Sequence, residues 1–449
     1  MELQLLADRY ETVTIISVLD SMQCARRARS VICADASTVP PEANLFMNTE
    51  VRPIPSRFYS LDVIRGLAAL TVVVWHWQHF LLGGTDAGAF QQTGQPFYSQ
   101  LALLYHWGWL AVDFFFSLSG FVFFWLYGQA VAERRVGAGA FFVARFSRLY
   151  PLHLVTFIAV MLGQAFYRSE NAAFFVYSFN DGYHAVLNLF MASGWGLEKG
   201  PSYNGPIWSV SIELLLYLMF FVLCRRNLGR PLMLAVLVVA GLCLLHVLPA
   251  LGRGMISFFA GGLAYAAYGA LRAKPAAYRW AAGLAVTSWI AVLFEFRTGQ
   301  LSAALTSIAQ WLIPGSRDAM PDLLGKMKLQ GIAIVLFPLT IVSLALLETW
   351  RGTLGRRVAF IGHLSYSSYL LHFPLQLAFV IVAGALGVGR DFFYTHESFL
   401  LFVAVLIPLC FASYYWLELP AQRLLRRTMM PTRRLARQSP ALQSEESAR

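Results

Sequence analysis

The sequence predicts an all-α fold, a polytopic membrane helix bundle of about ten transmembrane helices. Three observations predict it. Of the 449 residues, 57% are hydrophobic and only 13% charged, against roughly 25% charged in soluble domains, and the mean hydropathy is +0.56. Ten apolar windows approach the roughly 20 residues that a helix needs to cross hydrocarbon. The loops between those windows share out Lys and Arg very unevenly.

In chain order, residues 1–56 are mixed and unperiodic, and Arg26, Arg27 and Arg29 interrupt any signal-peptide pattern. They read as a poorly ordered cytoplasmic tail in which Met47 offers a second start of translation. Spans follow near 61–82, 108–128, 150–167, 207–224, 231–249, 254–271, 279–297, 329–348, 359–387 and 398–418. The apolar stretch 184–196 is too short to cross and is expected to be re-entrant or interfacial. Residues 301–313, before Pro314, are expected to form a helix lying on the surface. Residues 57–420 thus make one transmembrane domain, and 421–449 a basic cytoplasmic tail.

Assigning the loops alternately to the two sides puts 21 Lys and Arg on one side and 8 on the other. Cytoplasmic loops retain these residues during insertion, so both termini are expected in the cytoplasm. The net charge of +11 comes in short runs between spans rather than as one basic stripe, which argues against a nucleic-acid partner. Cys24, Cys33, Cys224, Cys243 and Cys410 include no CxxC pair, so neither disulfides nor a zinc site is predicted.

Ionisable groups inside spans cost about 2.5 to 3.5 kcal/mol each on insertion scales, which makes them functional candidates. Arg65 and His76 are eleven residues apart, close to three helical turns, so they share a face and lie roughly 16 Å apart along it. Asp113 in the second span and Glu213 in the fourth both enter from the far side, which brings them to the level of His76. A carboxylate beside an imidazole makes a general base, and acylation of a hydroxyl needs one.

Six segments then resemble, in order, the acyltransferase-3 family of membrane-bound acyltransferases: SLDVIRGLAALTVVVWH from Ser60 to His76, VDFFFSLSGF from Val112, ARFSRLYP from Ala144, WSVSIE from Trp208, FFAGGLAY from Phe258 and SYSSYLLHFP from Ser365. The resemblance implies transfer of an acyl group, acetyl above all, from acyl-CoA to a carbohydrate at the outer face of a bacterial inner membrane. It marks His76 as the catalytic base and Arg65 as its functional partner. Ser119, Trp208, Ser211, Tyr366 and His372, from the same segments, are candidates for substrate contact or for structure. Two departures matter. Glu213 is followed by Leu214 where the family often carries a second acid, and no hydrolase-like domain follows the last span.

The Arg145-x-x-Arg148 pair opens the third span and is expected to hold the phosphates of acyl-CoA, since Arg forks fit phosphate oxygens. No metal is required, because no HxxxH or HExxH pattern occurs in a span. Plainer readings stand beside each of these. His76 and His372 can be hydrogen-bonded packing residues, Arg65 can pair with Asp62 at i, i+3, and Arg145 and Arg148 can be ordinary positive-inside charges. Asp113 and Glu213 can serve only to orient their neighbours. Tyr105, Trp107, Trp109, Trp195 and Tyr203 can stack on sugars or form an aromatic belt, whereas His79, His106 and His184 read as loop or interface residues. A transporter that uses buried Arg, His, Asp and Glu as a proton or substrate path, or a scaffolding membrane protein, are the rival functions. The residues leave the acceptor's identity and the oligomeric state open.

Overall fold

The computed structural model describes residues 53–82, 90–312 and 319–430. The chain divides between Glu50 and Val51, and every described residue belongs to the second unit. The expected N-terminal tail up to residue 52, with Cys24, Cys33 and Met47, lies outside the described residues, as do Arg317 and the chain beyond 430.

Among the described residues the regular structure is helical throughout. The helices are α1 Tyr59–Trp75, α2 Tyr98–Trp107, α3 Ala111–Phe123, α4 Ala138–Glu170, α5 Gly182–Leu189, α6 Ile207–Arg225, α7 Pro231–Leu244 and α8 Pro249–Leu271. They continue with α9 Ala277–Thr298, α10 Gln300–Leu312, α11 Ala319–Gly331, α12 Phe337–Arg351, α13 Ser365–Ala385, α14 His396–Ala412 and α15 Leu419–Met429. Among the described residues, eight helical stretches are long and apolar enough to cross a membrane. At the other two expected positions stand α1, with 17 residues, and α7, with 14.

Several boundaries differ from the sequence reading. In the first span the α-helix stops at Trp75, tightens into a 3-10 turn over His76–Gln78 and resumes for one turn at His79–Leu82. The third span is 33 residues long and begins at Ala138, so Arg145 and Arg148 sit two to three turns inside α4 instead of at its mouth. The ninth begins at Ser365, because Gly362 is pressed against the backbone of Asp62 and the chain must turn there first. Of 184–196, only the start is helical, as α5. The chain stays helical past residue 420, through α15.

Helix α1 is pinned at both ends. The first amide groups of a helix have no partner within it, and here the buried carboxylate of Glu348 on α12 accepts from Tyr59 N and Ser60 N, both at 2.9 Å, and from Ser60 Oγ at 2.7 Å. A negative group at this end also suits the helix dipole. At the other end Gln376 of α13 donates to the His76 carbonyl at 2.8 Å, and Trp77 Nε1 donates to the Phe393 carbonyl at 2.9 Å. Because Asp62 meets Gly362 at one end and His76 meets Gln376 at the other, α1 and α13 run parallel.

Helices α3 and α8 touch backbone to backbone. A Cβ on Gly261 would collide with the Ser117 carbonyl, and one on Gly120 with the Phe258 carbonyl. Such close approach by small residues is how helices associate in lipid, where apolar burial alone gives no preference for protein over solvent. Around this contact lies one apolar core, which includes Phe121, Phe258 and Ile341; a second, which includes Trp77, Phe373 and Phe402, surrounds the far end of α1. Large apolar side chains also point outward, Trp416 at 82% exposure and Trp280 at 79%, as a lipid-facing surface requires.

Gly261→Val is therefore expected to cost on the order of 1–3 kcal/mol or more, read as a lower melting temperature of the detergent-solubilised chain. Gly283→Val, where an added Cβ meets nothing within 4 Å, is the control and should melt near the wild type. Equal melting of the two variants would refute the close α3–α8 contact.

Candidate active site

A cavity of about 280 Å³ runs inside the bundle. One end is polar, formed by Arg57, Asp62 and Arg65 at the start of α1, by Arg148 and by His363. The middle is lined by Ser119, Arg145, Glu213 and Tyr366 together with apolar side chains such as Phe115 and Leu126, and the inner end by Ser209 and Tyr369. Two segments of π-helix, Phe124–Gly128 and Ser413–Glu418, contribute to the wall; such bulges often mark functional sites.

The polar end is a network. Asp62 binds Arg57 Nε at 2.8 Å and Arg65 Nη2 at 3.1 Å, and Arg65 Nη2 also donates to the Gly362 carbonyl at 2.8 Å. Arg65 thus takes the i, i+3 pairing with Asp62 and faces the cavity as well. Arg57 Nη2 lies 3.0 Å from His363 Nε2; a guanidinium only donates, so this bond needs a neutral imidazole. Burial first, and then the Arg57 charge, hold His363 down to about 4. Arg145 donates to the Tyr127 hydroxyl at 2.7 Å and stacks over Phe123. Arg148 has no ion pair or hydrogen bond among the described residues.

The expected gathering of carboxylates at His76 does not occur. Asp113 is held by Arg253 of α8 through Nη2 at 2.6 Å and Nε at 3.3 Å, and this guanidinium lies over the rings of Trp109 and Trp208. Arg253, one of the 8 basic residues on the less basic side, is within the first turns of α8, where the packing of α8 on α3 brings it to Asp113. Glu213 accepts from Ser119 at 2.7 Å and shares the cavity with Arg65, not with His76. Ser211 packs a loop onto α6, accepting at Oγ from Gly194 N at 3.0 Å and at its carbonyl from Trp195 Nε1 at 2.9 Å. The Tyr366 hydroxyl donates to the Leu149 carbonyl at 2.5 Å. The other outer aromatics are engaged within the protein: Trp107 stacks on Phe296, the Tyr105 hydroxyl donates to Pro96, and that of Tyr203 to Asp181.

His76 lies beyond the inner end of the cavity, among rings. It is centred 4.7 Å from His79 and 4.7 Å from His372, and His372 is 6.2 Å from Tyr369 in the cavity wall. His76 Nδ1 lies 2.9 Å from the Val72 carbonyl. Carbonyls only accept, so Nδ1 carries the proton and Nε2 of the neutral ring carries the lone pair. The same logic fixes His79: Gln376 donates from Nε2 to His76 O, so its Oε1, 3.2 Å away, accepts from His79 Nδ1. Among the described residues no three of His, Cys, Asp or Glu are arranged to hold a metal ion, these imidazoles included.

Sequence reasoning passed over His79, Gln376, Tyr369, Arg253 and Glu348. Three of them carried a signal. His79 follows His76 by three residues and Gln376 follows His372 by four, spacings that share a helix face, and Arg253 stands in a Gly-rich apolar run. Glu348 carried none, because its partners are nearly 290 residues away.

The sequence model of a family described as an acyltransferase domain matches residues 58–418. The chain is 40% identical over 101 residues to "Protein 2 in picA locus" of Rhizobium radiobacter, which is 22% of this chain and 42% of that protein. It is 32% identical over 166 residues to "Acyltransferase MdmB" of Streptomyces mycarofaciens, which is 36% of this chain and 38% of that protein. The chain thus spans about 42% and 38% of the lengths of these relatives. No solved structure matches it.

With the folded His363 near 4 and the free ring near 6.5, the unfolded chain takes up this proton first as pH falls. The stability that depends on a neutral, buried His363 is therefore present above about pH 6.5 and is expected to decline towards pH 4. His363→Gln should remove that part of the slope in melting temperature against pH, and an unchanged slope would rule His363 out as its source.

Proposed function

The chain belongs to the acyltransferase-3 family of membrane-bound acyltransferases, and on that premise we propose that it moves an acyl group, acetyl in the first instance, from acyl-CoA to a carbohydrate hydroxyl. The donor enters from the cytoplasm and the acceptor from the outer face of a bacterial inner membrane, with both termini cytoplasmic, as the 21 to 8 split of basic residues indicates.

One observation carries this reading. A single cavity runs from a rim of guanidinium groups to Ser209 and Tyr369, and His372, with its ring centred 6.2 Å from that of Tyr369, and His76 lie just beyond its inner end. Arg148, a cation at the rim with no carboxylate of its own, suits a phosphate of the donor. Arg145, held by Tyr127 and stacked on Phe123, lines the path behind it. The apolar middle suits the slender pantetheine arm, and Tyr369 and Ser209 close its inner end, with their hydroxyls 2.7 Å apart and that of Tyr369 donating to the Pro206 carbonyl at 3.0 Å. His76 Nε2 takes the proton of the attacking hydroxyl. The oxygen then bonds to the carbonyl carbon, the carbon–sulfur bond breaks, and the thiolate recovers the proton. Glu213 and Ser119 shape the cavity wall, and Asp113 acts through Arg253, whose guanidinium lies against Trp208.

Membrane vesicles containing the chain are expected to incorporate label from radioactive acetyl-CoA into glycan, and His76→Ala to lower that rate about 10²- to 10⁴-fold, the usual contribution of a general base. A normal rate in His76→Ala would sink the mechanism. For the donor, Arg148→Gln should raise KM for acetyl-CoA about tenfold with little change in kcat, as loss of one charge-assisted contact predicts. A fall in kcat with unchanged KM would move Arg148 from donor binding to the chemistry.

A further inference from the structure

Helix α13 holds an imidazole to which the mechanism above assigns nothing. His372 is fully buried, and its Nδ1 lies 3.1 Å from the Ser368 carbonyl. Nδ1 is therefore the protonated nitrogen, and the lone pair of the neutral ring is on Nε2. That Nε2 is buried with no hydrogen-bond partner among the described residues, which is uncommon for a polar atom and asks for a reason.

His76 repeats the arrangement one helix away. Its Nδ1 bonds the carbonyl four residues earlier, Val72, as His372 bonds Ser368. The two helices run parallel, and each ring is tied to its own helix by its Nδ1 edge. Each therefore turns its Nε2 edge away from that helix. The rings are 4.7 Å apart and inclined by 35°, a partly stacked arrangement in which neither can donate in-plane to the other, so neither nitrogen satisfies its neighbour. His79 differs, being engaged by Gln376 at Nδ1 and lying 3.5 Å from the Tyr177 hydroxyl at Nε2. His372 also adjoins Tyr369, at the inner end of the cavity.

We propose that His372 is a second catalytic residue, whose Nε2 accepts a hydrogen bond from one acceptor hydroxyl while His76 Nε2 takes the proton of the hydroxyl beside it. The acceptor class follows: a molecule with free hydroxyls on adjacent carbons, as on a sugar ring. One hydroxyl oxygen forms the ester, its proton passing to His76 and then to the departing thiolate. The other keeps its proton and remains a free hydroxyl, holding the attacking carbon in place. This inference rests on the transferase reading above.

The test uses the full chain in membrane vesicles with radiolabelled acetyl-CoA and the glycan already present. In His372→Asn the shorter amide can still donate to Ser368 but leaves nothing at the Nε2 position. In His372→Gln an amide oxygen reaches that position. We expect kcat to fall about 100-fold in His372→Asn, in the range for a group acting on the reacting proton system, and about tenfold in His372→Gln, with KM for acetyl-CoA within about twofold of wild type in both. A packing role predicts the reverse order, since Asn keeps the backbone bond; His372→Asn within about threefold of wild type overturns the proposal.

Size-exclusion chromatography in detergent establishes whether each variant is folded. If neither is, the wild-type product decides: the position of the new ester is read by NMR, and an ester on a carbon with no hydroxyl-bearing neighbour overturns the proposal, whereas one beside a free hydroxyl supports it. An active wild type with an active His372→Asn variant defeats only the role of His372. A wild type that transfers no acetyl defeats the transferase reading, and this inference with it.

Discussion

A charged or polar side chain inside a hydrocarbon-clad bundle has no water to turn to, so each one is committed to a partner within the protein. The partners chosen here organise the molecule. Asp62 takes two guanidinium groups, Asp113 takes Arg253, and Glu348 takes the unpaired amides that open α1. Two of these three pairings involve a candidate for chemistry on sequence grounds alone, Arg65 with Asp62 and Asp113 with Arg253, and the structure shows each engaged.

That commitment explains why the cavity has the character it has. With Asp62 engaged by Arg57 and Arg65, and Arg145 against Tyr127, the rim keeps in Arg148 a guanidinium that has no ion pair among the described residues. Beyond the other end the imidazoles are anchored through Nδ1 to backbone or to Gln376, which leaves Nε2 of each ring free of that anchor. Position and protonation are set by the same hydrogen bonds. The anchoring is possible because α1 and α13 are parallel, and they are parallel because Gly362 lets the turn before α13 press against Asp62.

Much of the fold was legible in the chain. Each of the ten expected spans coincides with a helix, because an apolar run of that length in lipid has only one way to satisfy its amide groups. Ends were less legible. Trp75, where α1 tightens, and Ala138, where α4 begins, are set by packing and by a glycine at the preceding residue, neither of which hydropathy registers. The candidate site was legible in parts: Arg65, Ser119, Arg145, Arg148, Glu213 and Tyr366 do line one cavity, while His76 and His372, drawn from segments far apart in the chain, do meet.

Which group pairs with which was not legible, and the reason is geometric. Helical periodicity fixes the face a residue occupies and its depth along the axis, but the neighbour it meets depends on how helices distant in sequence are ordered around one another. Depth alone put Asp113 and Glu213 level with His76; the crossing of α3 with α8 at Gly120 and Gly261 instead carried Asp113 to Arg253. The residues by themselves determined an all-α membrane bundle, its approximate spans and the polar side chains buried in it. The tertiary structure alone decided their partners, since a hydrogen bond is made across a distance of about 3 Å that only helix packing can close.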